Sequence, residues 1–206
     1  DPALCDGCGE CSRFCAFHAI ASTGGAPIVF PSMCHACGGC ARVCPRNAIR
    51  EVEERIGVVE TRRAGPVEMV LGRLDLGATL TPPLVAAVKA RANDGLPMIL
   101  DAPAGTSCPV VATLRGTDFV LLVTEPTPFG LHDLGLAVDL VRDLGLPSAV
   151  VVNRAGSGDD GVDAFCRREG VPILLEVPDD RRIAEAYARG RLVVDALPEY
   201  AGLFAG

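Results

Sequence analysis

The chain has 206 residues, 49% of them hydrophobic and 4% aromatic, and it carries a formal net charge of −7. This acidic balance excludes the cation-lined groove that nucleic-acid phosphates require, so no nucleic-acid partner is expected. No apolar run approaches the roughly 18 residues of a membrane span, and the first residues lack the basic and apolar stretches of a secretory signal. We therefore expect no membrane association and a cytoplasmic location.

Eight of the ten cysteines lie within the first 44 residues, in two runs of identical spacing. Both runs read C-x2-C-x2-C-x3-C; they comprise Cys5, Cys8, Cys11 and Cys15, and then Cys34, Cys37, Cys40 and Cys44. Each second-run cysteine lies 29 residues after its counterpart, and the same offset places Gly9 onto Gly38 and Ala19 onto Ala48. The match indicates an internal duplication.

This spacing is typical of 4Fe–4S ligation, because three thiolates at x2 intervals hold three corners of one cubane and the fourth ligates the other cluster. The sequence therefore predicts two 4Fe–4S clusters. One is ligated by Cys5, Cys8, Cys11 and Cys44, and the other by Cys34, Cys37, Cys40 and Cys15. The alternatives are structural zinc, which needs no third cysteine at x2, and disulfides, which cysteine clusters without a secretion signal disfavour.

The cysteine-rich segment resembles the bacterial ferredoxins with two 4Fe–4S clusters over residues 1–50, although Ala16 stands where the second run has Pro45. We predict a small α+β ferredoxin-like domain over residues 1–52. Apolar side chains that could limit water at the clusters are Ile20, Ile49, Phe14, Phe17 and Phe30.

The remaining residues, 53–206, predict an α/β domain. Two short strands, Ile56–Glu60 and Val67–Leu71, flank a turn at residues 64–66, and a helix over 82–92 closes at Asn93-Asp94-Gly95. Further strands are predicted at Pro97–Leu100, Asp118–Val123, Ser148–Val152 and Pro172–Val177, alternating with helices near 107–114, 130–144, 160–169 and 179–189. These strands are unbroken aliphatic runs, as in a parallel sheet covered on both faces.

Polar and glycine residues follow these strands, where ligands bind in such sheets. Asp101 ends the first strand and begins the segment Asp-Ala-Pro-Ala-Gly, which closes at Gly105. An Asp here can hold the water shell of Mg²⁺, and the glycine lets a backbone N–H reach a γ-phosphate. A plain turn is the alternative interpretation.

From Met98 to about Val194 the chain resembles the MinD/ParA-type P-loop ATPases, within them the branch that carries an inserted ferredoxin domain. The matching stretches are Ile99–Pro109, Val123–Gly130 and Val151–Arg154. The resemblance implies a partial P-loop NTPase-like parallel sheet, in which Asp101 is the Walker B/switch II acid and Gly105 a phosphate-sensing amide. It also implies that Asn153 and the Pro178-Asp179 turn line the adenine.

One departure from the family limits these implications. Those ATPases open with a Lys-Gly-Gly-type Walker A loop, which this sequence lacks, and its only lysine is Lys89 within a predicted helix. We expect that the chain does not hydrolyse ATP alone, and that it binds ATP and Mg²⁺ only if the missing P-loop half is supplied. The expected partners are that half, from a longer or split protein, or a second copy, because the missing strand leaves an apolar sheet edge unpaired.

The favoured function is electron transfer to a redox partner protein, coupled to the nucleotide-driven module. The alternatives are an iron–sulfur cluster carrier or assembly factor, and a plain ferredoxin fused to a vestigial ATPase remnant. Cys108, near a helix N-terminus, is either a small buried cysteine or a cluster-bridging thiolate. Cys166, within a predicted helix, is expected in the core.

Overall fold

The structure is a computed structural model that describes residues 1–91 and 95–205. It divides into two compact units, Asp1–Ile99 and Leu100–Gly206. The domain boundary predicted after residue 52 falls inside the first unit and stays a prediction.

The first unit begins with two five-residue helices, α1 (Glu10–Phe14) and α2 (Gly39–Val43), which contact each other. Between them a minimal antiparallel pair forms from β1 (Ile20–Ala21) and β2 (Ile28–Val29), followed by a 3-10 turn at Pro31–Met33. The buried apolar residues of this segment are few: Cys11, Ala19, Ile20 and Ala48, of which only Ile20 has a large side chain. Such a small core leaves little apolar burial to hold these helices in place.

A long hairpin and one helix complete the first unit. Strands β3 (Gly57–Ala64) and β4 (Val67–Leu74) pair antiparallel in unbroken register, which confirms the predicted hairpin and extends it. Helix α3 (Pro82–Lys89) packs on the hairpin at Gly72. The contact is close: a Cβ on Gly72 would lie 2.9 Å from side-chain carbons of both Leu84 and Val88. The predicted closing turn at Asn93-Asp94 lies outside the described residues.

The second unit alternates helices and strands as predicted. Its elements are α4 (Cys108–Leu114), β5 (Val120–Thr124), α5 (Pro128–Asp143), β6 (Ser148–Ala155), α6 (Gly161–Glu169), β7 (Ile173–Pro178), α7 (Arg181–Ala188), α8 (Val193–Ala196) and a 3-10 stretch at Pro198–Phe204. Strands β5, β6 and β7 form a parallel sheet in that order. No helix among residues 1–91 and 95–205 is long and apolar enough to cross a bilayer.

The core of this unit lies between the sheet and helices α4, α5 and α6. Val150 and Val152 of β6 pack against Leu134 and Val138 of α5 and against Cys166 of α6. Cys166 is 2% exposed, which confirms its expected place in the core. A second cluster joins α4 to β5 and the end of α5 through Val110, Leu114, Val120 and Val141.

Two expectations about the sheet are wrong. Residues Pro97–Leu100 form no strand, since no described strand hydrogen-bonds to them, and Ile99 is 96% exposed. The sheet is also not covered on both faces, because Leu121 and Val123 of β5 are 51% and 66% exposed. Helices that connect strands wound in one direction by right-handed crossovers all lie on one face, and this leaves the other face of β5 bare.

The end of the chain is tied to the start of α7 by a polar cluster. The Tyr200 hydroxyl donates to Asp180 Oδ2 at 2.7 Å, and Arg182 pairs with both Asp180 and Glu199 at 2.6 and 2.9 Å. Hydrogen bonds from Arg182, and then from Tyr200, hold the pKa of Asp180 well below its usual range. The cluster fixes the C-terminal 3-10 stretch against the helix.

Candidate functional site

All eight cysteines of the two runs line one cavity of the first unit, with a volume of about 1030 Å³. The four side chains of each run come from a loop, a short helix and the residue that ends that helix. The structure thus brings together every predicted cluster ligand. Cys108 and Cys166 do not line this cavity.

The backbone repeats its geometry with the same offset as the sequence. Gly9 and Gly38 begin helices α1 and α2 with positive φ angles of 76° and 69°, which L side chains rarely adopt. Cys15 and Cys44 end those helices in extended conformation. His18 and Asn47, three residues further on, both have positive φ, 52° and 50°. The two loops are therefore structural copies, built to hold equivalent groups.

Backbone N–H groups already point at cysteine sulfurs. The amides of Ala19 and Ala48 donate to the Sγ atoms of Cys15 and Cys44 at 3.4 and 3.3 Å, again as an equivalent pair. The Ala36 amide donates to Cys34 Sγ at 3.4 Å. Such N–H···S bonds stabilise thiolates and tune the potential of iron–sulfur clusters.

The thiols surround a volume rather than a point. Within the described residues, no three His, Cys, Asp or Glu side chains converge closely enough to hold a metal ion, whereas tetrahedral zinc draws its thiolates to bonds of about 2.3 Å. All ten cysteines are free thiols in the structure. The donor set, eight thiols on two copies of one loop, fits 4Fe–4S clusters, in which cysteine thiolates hold the irons. Burial is the main cause that raises the pKa of the Cys40 thiol.

Charged side chains border the first loop in pairs. Arg46 Nε lies 2.9 Å from Asp6 Oδ2, and Arg13 pairs with Glu10 one helical turn away. The Arg46 side chain, followed by hydrogen bonds from Cys8, holds the pKa of Asp6 below its usual value. Asp6 and Glu10 are thus each paired with an arginine.

The expected apolar cover is only partly present. Phe14, Phe17, Ile20 and Ile49 line the cavity, but Phe30 does not. Phe14 and Phe17 are 52% and 41% exposed, so they shield the cavity with one side to solvent. The Phe17 ring stacks on His35 with centroids 3.8 Å apart, and this joins the first cysteine run to the second.

In the second unit, the carboxyl ends of the strands meet at one edge of the sheet. Arg154, at the end of β6, lies 3.1 Å from Asp179 after β7 and 3.6 Å from Glu125 after β5. The Asp179 amide donates to the carbonyl of Ala155 at 3.0 Å. Asn153 and the Pro178-Asp179 turn, predicted to line the adenine, therefore share this edge.

The other predicted nucleotide residues lie in the segment before α4. Asp101 is exposed and outside any helix or strand, and Gly105 has φ 92° with no atom within 4 Å of a Cβ built on it. No hydrogen bond between described residues ties Asp101 or Gly105 to the edge formed by Asn153 and Asp179. Cys108 is exposed, contrary to the expectation of a buried cysteine.

Sequence reasoning assigned no role to two residues that the structure places at these sites. Arg154 adopts a positive φ of 57°, a strained conformation for a non-glycine residue, where it bridges two strand ends. Glu51 borders the second cysteine loop, with carboxylate oxygens 3.1 and 3.4 Å from a Cβ built on Gly38. The 29-residue offset could have found Glu51, because it places Ser22 onto this position.

Known proteins match both parts of the chain. The family model described as 4Fe-4S binding domain matches residues 27–50, which hold the second cysteine run. An uncharacterised protein of Methanocaldococcus jannaschii is 32% identical over 143 residues, 67% of this chain and 49% of that protein. An iron-sulfur cluster carrier protein of Pyrococcus horikoshii is 27% identical over 112 residues, 47% of this chain and 38% of the carrier.

A solved structure shares the fold. The crystal structure of the Pyrococcus furiosus cell division ATPase MinD superposes with a TM-score of 0.51 and 29% identity, covering 63% of this chain and 56% of MinD. The chain thus spans about half the length, or less, of these curated relatives.

Proposed function

We propose that this chain, which belongs with the MinD/ParA-type P-loop ATPases and carries a 4Fe–4S ferredoxin segment, is an electron-transfer protein with two 4Fe–4S clusters. The observation that carries the proposal is the cavity lined by all eight repeated cysteines. Cys5, Cys8, Cys11 and Cys44 would hold one cluster, and Cys34, Cys37, Cys40 and Cys15 the other. When bound, the cubanes supply one-electron redox chemistry.

Features of the cysteine segment support electron transfer by bound clusters. The paired N–H···S bonds from Ala19 and Ala48 are already formed, so the ligands need little reorganisation when the cluster charge changes. Cys8 and Cys37 are exposed, which leaves a short path between a cluster and a redox partner protein at the surface.

The second unit would couple the clusters to a nucleotide. Asp101 would serve as the switch II acid, Gly105 as a phosphate-sensing amide, and Asn153 with Pro178 and Asp179 as the adenine contacts. These roles need ATP and Mg²⁺ held by a P-loop half that this chain does not contain. Within the described residues β5 pairs with β6 alone, and one of its faces is bare; both support a partner that completes the sheet, either that half or a second copy.

A second candidate function is favoured by one comparison. Three relatives from Pyrococcus species are named iron-sulfur cluster carrier proteins, each matching 47% of this chain. A carrier or assembly factor would hold its clusters only to pass them on. The same cysteines would then serve release rather than redox cycling.

The test begins with the chain purified without oxygen, or reconstituted with iron and sulfide. Two cubanes predict about eight irons per chain and a [4Fe–4S] signal by EPR after reduction. Electron transfer predicts repeated dithionite reduction and reoxidation without iron loss, with clusters retained on incubation with an apo-ferredoxin. Rapid loss of iron to that acceptor supports the carrier function instead, and zinc or an iron-free chain contradicts both.

The coupling needs its own test. Supplying a P-loop half from a MinD-type relative should restore binding of a fluorescent ATP analogue, and Asp101→Asn should weaken the Mg²⁺ dependence of that binding. Absence of binding to any such complex would support the vestigial-remnant alternative.

A further inference from the structure

The two cysteine loops are copies in backbone but not in charge. The 29-residue offset relates Ser22 to Glu51, and the structure places both at the same point of their loops. Ser22 Oγ lies 3.4 Å from a Cβ built on Gly9, between Cys8 and Cys11. The Glu51 carboxylate lies 3.1 Å from a Cβ built on Gly38, between Cys37 and Cys40. One loop therefore faces a neutral hydroxyl and the other a carboxylate.

The remaining charges sharpen this difference. Beside the first loop, Asp6 and Glu10 are each paired with an arginine, and an Nη atom of Arg13 lies 3.5 Å from the Cβ position of Gly9. Beside the second loop, Glu51 has no ion-pair partner among residues 1–91 and 95–205. The carboxylates of Asp6 and Glu10 beside the first loop are thus each held in an ion pair, whereas within the described residues that of Glu51 beside the second loop is not.

We infer that Glu51 sets the two cubanes at different potentials, so that the cubane of Cys34, Cys37 and Cys40 is the harder one to reduce. This inference rests on the proposed function. An electron added to a cluster that four thiolates already make negative is repelled by a nearby carboxylate. Because Glu51 is exposed, water and salt screen the repulsion, so the effect is modest.

The difference in reduction potential decides which cubane is reduced first. The first electron delivered to the chain rests on the cubane of Cys5, Cys8 and Cys11. The second-loop cubane is reduced next, and it is the stronger reductant once charged. Glu51 thus acts through its charge on the reduction potential of the second-loop cubane and ligates no iron.

The experiment is an EPR-monitored redox titration of the reconstituted chain at low salt, in which dithionite supplies one electron to each cubane and no protein bond breaks. Wild type should show two midpoints. Glu51→Gln should raise only the lower midpoint potential. The equilibrium constant for reduction of that cubane should increase about threefold to tenfold, and a tenfold increase corresponds to about 59 mV for one electron. Glu51→Asp keeps the charge and should keep the low midpoint.

Two further variants complete the test. Ser22→Glu should lower only the upper midpoint, because it places a carboxylate beside the first loop. Glu53→Gln is the matched control: Glu53 is exposed, lies two residues from Glu51 and does not line the cavity, so neither midpoint should move.

The outcomes separate the two proposals. If Glu51→Gln holds about eight irons and leaves both midpoints unchanged, or moves both equally, the inference about Glu51 is wrong while the two-cubane function stands. If wild type itself holds fewer than two cubanes, the proposed function fails, and the inference fails with it.

Discussion

Replacing Gly130 with alanine should destabilise the second unit, although alanine is the better helix former. Gly130 lies in the first turn of α5, where a Cβ would stand 2.3 Å from the carbonyl oxygen of Glu125. The residue cannot move away easily. Its N–H donates to Thr127 Oγ1 at 3.0 Å, and its carbonyl accepts from Thr124 Oγ1 at 2.9 Å.

The magnitude follows from two opposing effects. Alanine gains up to about 1 kcal/mol of helix propensity over glycine. Forcing a methyl group against a fixed backbone oxygen costs about 1–3 kcal/mol, or more where the contact cannot relax. We expect a net loss of about 1–2 kcal/mol, a fall in the melting temperature of about 2–8 °C for a chain of this size.

Gly135 offers a matched control in the same helix. A Cβ there would meet only the Phe165 ring, at 3.8 Å, an ordinary van der Waals contact. Gly135→Ala should therefore stabilise the unit by about 0.5–1 kcal/mol. Thermal and urea unfolding, followed by far-ultraviolet circular dichroism without oxygen, compare both variants with wild type. Equal stabilisation by the two substitutions would refute the steric argument at Gly130.

Further expectations concern the core, the C-terminal cluster and the ligands. Leu134→Ala, at a position 3% exposed, should cost about 2–5 kcal/mol in urea unfolding, whereas Leu136→Ala, at 47% exposure on the same helix, should cost far less. Because the pKa of Asp180 is lowered on folding, its stabilisation is present above about pH 3.9 and is lost as the pH falls further; Asp180→Asn should lower the melting temperature at pH 7 and match wild type in strong acid. Cys40→Ala should reduce bound iron to about four per chain, while Cys108→Ala, at an exposed position outside the cavity, should leave iron content unchanged.

The cysteine site was predictable because its information is local. The spacing from Cys5 to Cys15 fixes loop and helix together, and the duplication supplies the second copy at a constant offset. The roles of the individual ligands stay predictions. Glu51 was missed because neither cysteine motif contains it; the 29-residue offset relates it to Ser22, but only the structure shows that both lie against the glycine of their loop.

The sheet shows the opposite case. Strands β5, β6 and β7 were predicted from their aliphatic runs and are confirmed. Pro97–Leu100 has an equally apolar sequence, yet a strand exists only where a neighbour completes its hydrogen bonds, and no described strand does so. The bare face at Leu121 and Val123 likewise depends on winding direction, which composition does not reveal.

The long hairpin of β3 and β4 carries charge along a ladder whose outer edges pair with no strand in the described residues. Glu60 is shared by Arg62 and Arg73, at 2.7 and 3.2 Å, and Arg63 pairs with Glu68 across the strands. A second chain that tried to extend this ribbon would have to strip water from these charges, so stacking of hairpins into fibrils is discouraged. The exposed face of β5 instead presents the apolar side chains of Leu121 and Val123. Aggregation of the isolated chain should therefore begin there rather than at the hairpin.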